Sequence, residues 1–479
     1  MTSRHILKLA TGYPVERLVL WAVMIQAATI TSSAQIAKQS PTTRPSQNHT
    51  LTVVPPGPVT EKIEVEVRLA VRNDTDKERA FEVSIYRDSP DCGHLIDRAA
   101  VRIPARGTRL VQAWWPTAGH VGENVLAYQI RDEAESIAQG SWPLEILPSP
   151  TPALPLLQAA WVDPGALVVG TYPSARPATP EDVRAAVNAM KAVGMQIIII
   201  TYVEYVLNGW GAFYPTKLAG LGKPRVTFDV VGLILDQAAK NGQHVFIGLG
   251  RGNDLHLTFE GFNNAARVER ALVLGKQVAS ELWGLYGHCP SFYGWYLTHE
   301  ANDIAGAGRY YDPMADYLHA FSPDKPVMVA PSGTPVVTPE ILRRSHVDIF
   351  AYQDAVGAGY VPYQYTYQPE DRLTMLKDVF ASYRTAHIGT RKHIWADLEV
   401  WEMAGPRYEK AYAADFSRVR RQIEIEQNFV EMITAYEFLG MMSPPRSSLK
   451  LGGDSAARLY RDYRDYYRQA RSQESSQEK

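Results

Sequence analysis

An α/β fold, a (β/α)8 TIM barrel preceded by a small all-β sandwich domain, is what this sequence predicts, and three observations predict it. Strand-like apolar runs alternate with amphipathic helix-like segments eight times in the C-terminal part of the chain. Ahead of them, from Val59 to Leu147, the pattern changes to period-two alternation broken by turn residues. Between the two stands a Pro-rich string, PSPTPALP, from Pro148 to Pro155.

The chain opens with Arg4, Lys8 and Arg17, then an apolar run from Leu18 to Ile30, then the small residues Ser32-Ser33-Ala34. A membrane-spanning helix needs about 20 apolar residues. The shorter run reads instead as a secretory signal peptide over residues 1–34, with export to the periplasm or the extracellular space as the expectation. Residues 35–58, rich in Ser, Thr, Pro and Gln, read as a linker.

Residues 59–147 carry the alternating runs IEVEVRLAV, FEVSIY, TRLVQAWW and NVLAYQI, with turns at Asn73-Asp74 and Arg106-Gly107. They predict an antiparallel β-sandwich that binds carbohydrate, braces the barrel or acts as a spacer, the last two being favoured. A linker over 148–160 closes it, the barrel follows over 161–470, and the polar tail 471–479 is expected to be disordered.

Within the barrel the first strand is placed at Val168 to Tyr172, followed by a helix that Thr179 caps, Pro180 opens and Gly194 ends. The remaining strands are expected at Ile197–Val203, His244–Gly250, Phe292–Glu300, Pro326–Pro331, Asp348–Asp354, His393–Glu399 and Met432–Phe438. Continuous apolar strands between amphipathic helices mean a parallel sheet buried on both faces. No GxGxxG follows the first strand, so the dinucleotide fingerprint is missing.

Composition narrows the function. A net charge of -2 argues against nucleic acid or an anionic membrane surface as partner. The 26 Tyr and 10 Trp suit sugar binding as well as cores. Cys92 and Cys289 read as two free thiols, and His256 and His299 are not grouped as metal ligands, so neither a metal nor a cofactor is called for.

Barrel enzymes place reacting groups at the C-terminal ends of the strands. That rule selects Tyr172, Tyr202, Glu204, Arg251, Asp254, His299, Glu300 and Asn302 on the first half of the ring. On the second half it selects Tyr352, Gln353, Asp354, Asp397, Glu399, Trp401, Glu402, Tyr436 and Glu437. Glycosidases work with two carboxyls, one protonated to serve the leaving oxygen and one ionised. Glu300 and Glu399, on the fourth and seventh strands, face each other across an eight-stranded ring and form the candidate catalytic pair. Tyr172, Tyr202, Tyr352, Gln353, Asp354, Asn302 and Trp401 are the candidate substrate contacts. An exported glycoside hydrolase acting on a poly- or oligosaccharide is the function these residues predict. Retention of configuration is the expected outcome, and the rival is a non-catalytic carbohydrate-binding or envelope-scaffold barrel.

The segments FYGWYLTHEAND (Phe292 to Asp303), FAYQDAVG (Phe350 to Gly357) and IWADLEVWE (Ile394 to Glu402) resemble the bacterial barrel family known as domain of unknown function 4434. The resemblance runs from about Leu167 to Pro445, and it implies that Glu300, Asp354 and Glu399 line the active cleft. The layout is also similar to that of clan A glycosidases, which implies Glu300 as general acid/base and Glu399 as nucleophile. His299 stands where that clan usually has Asn before its acid/base.

Overall fold

The computed structural model describes residues 49–477 apart from 91–93, 134, 166–177, 206–210, 222–226, 251–258, 363, 407–410 and 448–452. The signal segment, Cys92, Tyr172, Arg251, Asp254 and His256 therefore lie outside the described residues. No helix among the described residues is long and apolar enough to cross a membrane.

The N-terminal domain is a two-sheet sandwich. One sheet pairs β1 (Thr50–Val54), β3 (Glu64–Arg72) and β6 (Thr108–Pro116). The other runs in the order β2 (Val59–Thr60), β8 (Glu135–Leu147), β7 (Gly122–Asp132), β4 (Arg79–Arg87) and β5 (His94–Ile103). Alternation does the sorting: Val65, Val67, Leu69 and Val71 point from β3 into a core shared with Val83 and Leu126. The opposite face of β3, bearing Glu66 and Arg68, reads as a solvent face in sequence. It is buried, because this sheet lies against the N-terminal ends of the barrel strands. The Arg68 guanidinium pairs with Asp348 at 3.0 Å, the Tyr293 hydroxyl donates to the Val53 carbonyl at 2.7 Å, and Trp114 stacks on His393 at 4.9 Å.

Eight parallel strands then close on themselves. They are β9 (Ala159–Val162), β10 (Ile197–Ile200), β11 (His244–Gly248), β12 (Phe292–Leu297), β13 (Val327–Val329), β14 (Ile349–Gln353), β15 (His393–Glu399) and β16 (Met432–Tyr436), and β16 pairs with β9. The helices around them are α1 (Pro180–Lys191), α2 (Val230–Asn241), α3 (Ala265–Tyr286), α4 (Ile304–Phe321), α5 (Pro339–Arg344), α6 (Pro369–His387), α7 (Phe416–Glu426) and α8 (Gly453–Gln477). Their starts follow the caps. Thr179 makes a full capping box with Asp182 ahead of α1, and the Asp229 carboxylate accepts the Gly232 N–H at 2.8 Å ahead of α2. Alternate strand residues such as Trp161, Ile199, Phe246, Met328, Ala351 and Trp395 fill the barrel interior. Their neighbours pack outward beneath the helices.

Four expectations change. The first barrel strand is Ala159–Val162, which straddles the end of the segment read as a linker, whereas Val168–Tyr172 lies outside the described residues. The string 148–160 is no free linker: Ala153, Leu154, Leu156 and Leu157 are buried, and the Ala153 N–H donates to the Gln427 carbonyl at 3.1 Å. Its prolines set the backbone while its leucines find an apolar seat. Thr50–Val54, assigned to the first linker, pairs with β3 as a sheet strand. The polar tail continues α8 to Gln477, because Arg, Gln, Glu and Ser sustain a helix already begun. In addition, α4 begins at Ile304 under the Asp303 cap and carries Pro313 within it.

Candidate active site

The strand tips inherit their direction from the two-residue period. On β14, Ala351 points into the barrel, so Gln353 does too, while Phe350 and Tyr352 face the helices. On β15 the inward series is Trp395, Asp397, Glu399. Gln353 and Asp397 are register partners, and Glu399 is paired with Tyr436 of β16. Carboxyls therefore stack up one side of the barrel mouth.

Glu399 is held by backbone. Its Oε2 accepts the Ala358 N–H at 3.2 Å, and the Gly357 N–H also bonds to it. Gly357 makes this approach possible: a Cβ there would strike the Trp401 carbonyl and come within 3.0 Å of Glu399 Oε2. Burial, and next the charge of Asp354, push the Glu399 carboxyl up to about 8, although these amides and Arg418 pull it down.

Behind Glu399 lies a polar stripe of α7. Arg418, Gln422 and Glu426 recur every four residues and are buried on the helix face turned to the barrel. Arg418 donates through Nη2 to the carbonyls of Glu399 and Trp401, both at 2.9 Å, and pairs through Nε with Glu402 at 3.0 Å. Gln422 accepts from Arg418 and donates to Asp354 and to the Glu399 carbonyl. Asp354, wholly buried, also accepts the N–H groups of Val356 at 3.1 Å and Glu399 at 3.2 Å. Burial raises the carboxyls of Asp354, Asp397 and Glu426 as well. Close packing of so many carboxyls keeps some of them neutral.

Glu300 lies just past β12 and is half-buried. After burial, Asp397 is raised by Asp354, by Glu399 and also by Glu300. The Tyr365 phenol is raised by burial, by Tyr360, and then by Glu399 and Glu300. Asp397 of β15 and Tyr365 of the loop after β14 thus each interact electrostatically with both Glu300 and Glu399.

The other candidates divide. Gln353 is half-buried and points inward, and Asn302 is exposed on the loop before α4. Tyr352 is no cleft residue: it is fully buried, stacks on Tyr383 at 4.1 Å and meets His387 Nε2 at 2.9 Å. Strand parity turned it outward. Tyr202 is a packing residue too, its ring against Tyr205 and Phe213 and its hydroxyl on Asp163. Trp401 is 5% exposed, too covered to serve as an open platform, because the hairpin Trp401–Glu402/Tyr412–Ala413 folds it inward. Trp295 packs beneath the helices with its indole N–H on Ser322 Oγ, and Glu402 is taken by Arg418. Cys289 is free.

Sequence reasoning missed Trp161, whose indole N–H donates to Thr434 at 3.0 Å and whose ring meets Tyr296 edge-on at 4.7 Å. It missed Asp163 for the same reason: the first strand was misplaced. The α7 stripe was findable, since polar residues at i, i+4 and i+8 interrupt an apolar face. Tyr365 and Tyr412, exposed on short hairpins after β14 and β15, carried no such signal.

The model of the family described as Domain of unknown function (DUF4434) matches residues 176–448. No curated protein matches the chain. Similar solved structures include a putative alpha-L-fucosidase from Bacteroides thetaiotaomicron, 19% identical, covering 65% of this chain and 93% of that one with a TM-score of 0.52. A GH2 beta-galacturonidase from Eisenbergiella tayi bound to galacturonate is 13% identical, covers 88% of this chain and 71% of its own, and has a TM-score of 0.43. At these identities the first likeness shows the fold, a barrel of the kind glycoside hydrolases use. With a family model over more than half of its residues, among them Glu300, Asp354 and Glu399, the chain belongs to the DUF4434 family.

Proposed function

We propose that the barrel hydrolyses O-glycosidic bonds of a poly- or oligosaccharide, with Glu300 and Glu399 as its two working carboxyls. One observation supports this reading: Asp397 and Tyr365 each interact with both Glu300, beyond β12, and Glu399, on β15, and burial beside Asp354 keeps Glu399 protonated. A leaving alkoxide needs a proton and an anomeric carbon needs an anion or an activated water, so a pair with divergent environments is the chemical requirement.

The roles follow from the electrostatics. Glu399, buried beside Asp354, holds the proton at neutral pH and delivers it to the leaving oxygen. Glu300, half-exposed just past β12, then supplies the attacking oxygen. This exchanges the roles that the clan A layout implies. In the retaining sequence, Glu300 displaces the protonated leaving group and forms a glycosyl ester. Glu399, now ionised, takes a proton from water, and the hydroxide displaces Glu300. Atoms and charge balance without a cofactor. The printed name of the similar fucosidase structure supports a sugar substrate, and export through residues 1–34 completes the proposal.

Reducing-end release from bacterial and plant polysaccharides by the intact chain, Glu300→Gln and Glu399→Gln tests it. Both substitutions are expected to lower turnover at least a thousandfold, since each removes a group acting only in the transition state. The alkaline limb of the pH–rate profile is expected near 8, where Glu399 loses its proton. Undiminished turnover in either variant removes that residue from the mechanism. Binding without cleavage by the intact chain favours the non-catalytic reading.

A further inference from the structure

We infer that Tyr365 is a stacking platform that seats the C–H face of a neutral pyranose unit beside the Glu300–Glu399 pair. The inference rests on the proposed function only in taking that mouth as a sugar cleft.

The platform is a built feature. The hairpin after β14 pairs Tyr360–Val361 with Gln364–Tyr365, Tyr360 opposite Tyr365. The Tyr365 ring lies nearly parallel to Tyr367, 16° between planes at 6.3 Å, and takes the edge of Tyr360 at 5.1 Å. Two neighbours thus fix the orientation of a ring that is still 49% exposed. The root of the hairpin is rigid: the Tyr360 N–H donates to Ala355, the Thr366 N–H donates to Gly359, and Gly359 has a φ of 60°. Immediately upstream, Gly357 and Ala358 hold Glu399. The same loop therefore positions the proton-bearing carboxyl and the open ring.

Exposed apolar side chains also stand on the loops after the neighbouring strands β13 and β15. Val336 follows β13 at 74% exposure, and Tyr412 follows β15 with its hydroxyl on Glu402 at 3.0 Å. A pyranose matches this surface: its axial hydrogens make an apolar face that displaces water from a ring, and its hydroxyls stay at the rim. Charge selects a neutral sugar. A sugar carboxylate needs a cationic partner at the mouth. Among the described residues, the nearby guanidiniums of Arg372 and Arg418 are buried and spent on carbonyls, Thr334, Gln422 and Glu402.

The test uses the full chain carrying Glu399→Gln, which suppresses turnover, against hexaoses of β-1,4-glucose, β-1,4-mannose, β-1,4-xylose, α-1,4-glucose and α-1,4-galacturonate, with affinity read by calorimetry. At least one neutral hexaose is expected to bind. Its affinity should fall roughly tenfold on adding Tyr365→Ala, recover with Tyr365→Phe and not with Tyr365→Leu. An affinity within twofold in Tyr365→Ala, recovery by Leu, binding of galacturonate alone, or binding of no neutral hexaose overturns the inference. Turnover of the bound oligomer by the unsubstituted chain separates the two readings. Ring-dependent binding without cleavage leaves the platform standing and sinks hydrolysis, whereas cleavage indifferent to Tyr365→Ala does the reverse.

Discussion

Glu399 can sit on the backbone of the loop after β14 because position 357 has no side chain. Gly357→Ala puts a methyl group against the Trp401 carbonyl and 3.0 Å from Glu399 Oε2, and backbone does not yield as a flexible side chain would. This substitution is expected to cut kcat at least tenfold while the melting temperature falls by only a few degrees. Proton linkage gives a second test. A carboxyl raised from 4.5 to about 8 on folding binds more protons in the native state across that range, so it lowers stability as pH rises through it. Glu399→Gln removes the penalty. Its melting temperature is expected to exceed that of the parent at pH 8.5 and to match it at pH 5, and calorimetry across that range measures both.

At the scale of elements, strand parity decides which residues face the mouth, and it is readable in the sequence. Once Ala351 and Gln353 are assigned inward, Tyr352 must face α6. Choosing strand tips by chemistry alone put both Tyr352 and Gln353 around the sugar. Tyr352→Phe should therefore leave turnover unchanged and cost about 1–2 kcal/mol of stability, through the lost contact with buried His387. The first strand was not legible in the same way. AAWV is short, follows a proline-rich string and competes with the β-branched run downstream, so Trp161 and Asp163 were hidden with it. Helix α7 carries a further prediction. Gln422→Leu removes the side-chain donor to Asp354 Oδ2 and breaks the link from Arg418, so it is expected to lower kcat with KM little changed and to shift the alkaline limb set by Glu399.

The whole molecule depends on a charged junction. The sequence announced a sandwich and a barrel, and its alternation marked Glu66 and Arg68 as a polar face, but periodicity cannot tell water from a neighbouring domain. At the junction Glu66 bonds Arg68 and His393, and His393 bonds Glu431 at 2.7 Å. Burial opposes every charge here, yet Arg68 holds Glu66 and Asp348 low, and Glu431 with Glu66 raises His393 to about 9. The carboxylates contribute above their unfolded values and lose that contribution as pH falls through their lowered ones. His393 contributes fully below 6.5 and loses its contribution as pH rises through about 9. Arg68→Met, which strands buried carboxylates, is expected to cost about 3–5 kcal/mol near pH 6. His393→Asn should lower the melting temperature more at pH 6 than at pH 9.5.

Chemical rescue of the Glu300→Gly and Glu399→Gly chains by azide, with the anomeric configuration of the product read by NMR, goes most directly to whether two carboxyls share one bond. Both chains should be inert alone. With azide, Glu300→Gly is expected to yield a glycosyl azide of inverted configuration and Glu399→Gly one of retained configuration. Full cleavage by either chain without azide contradicts the account.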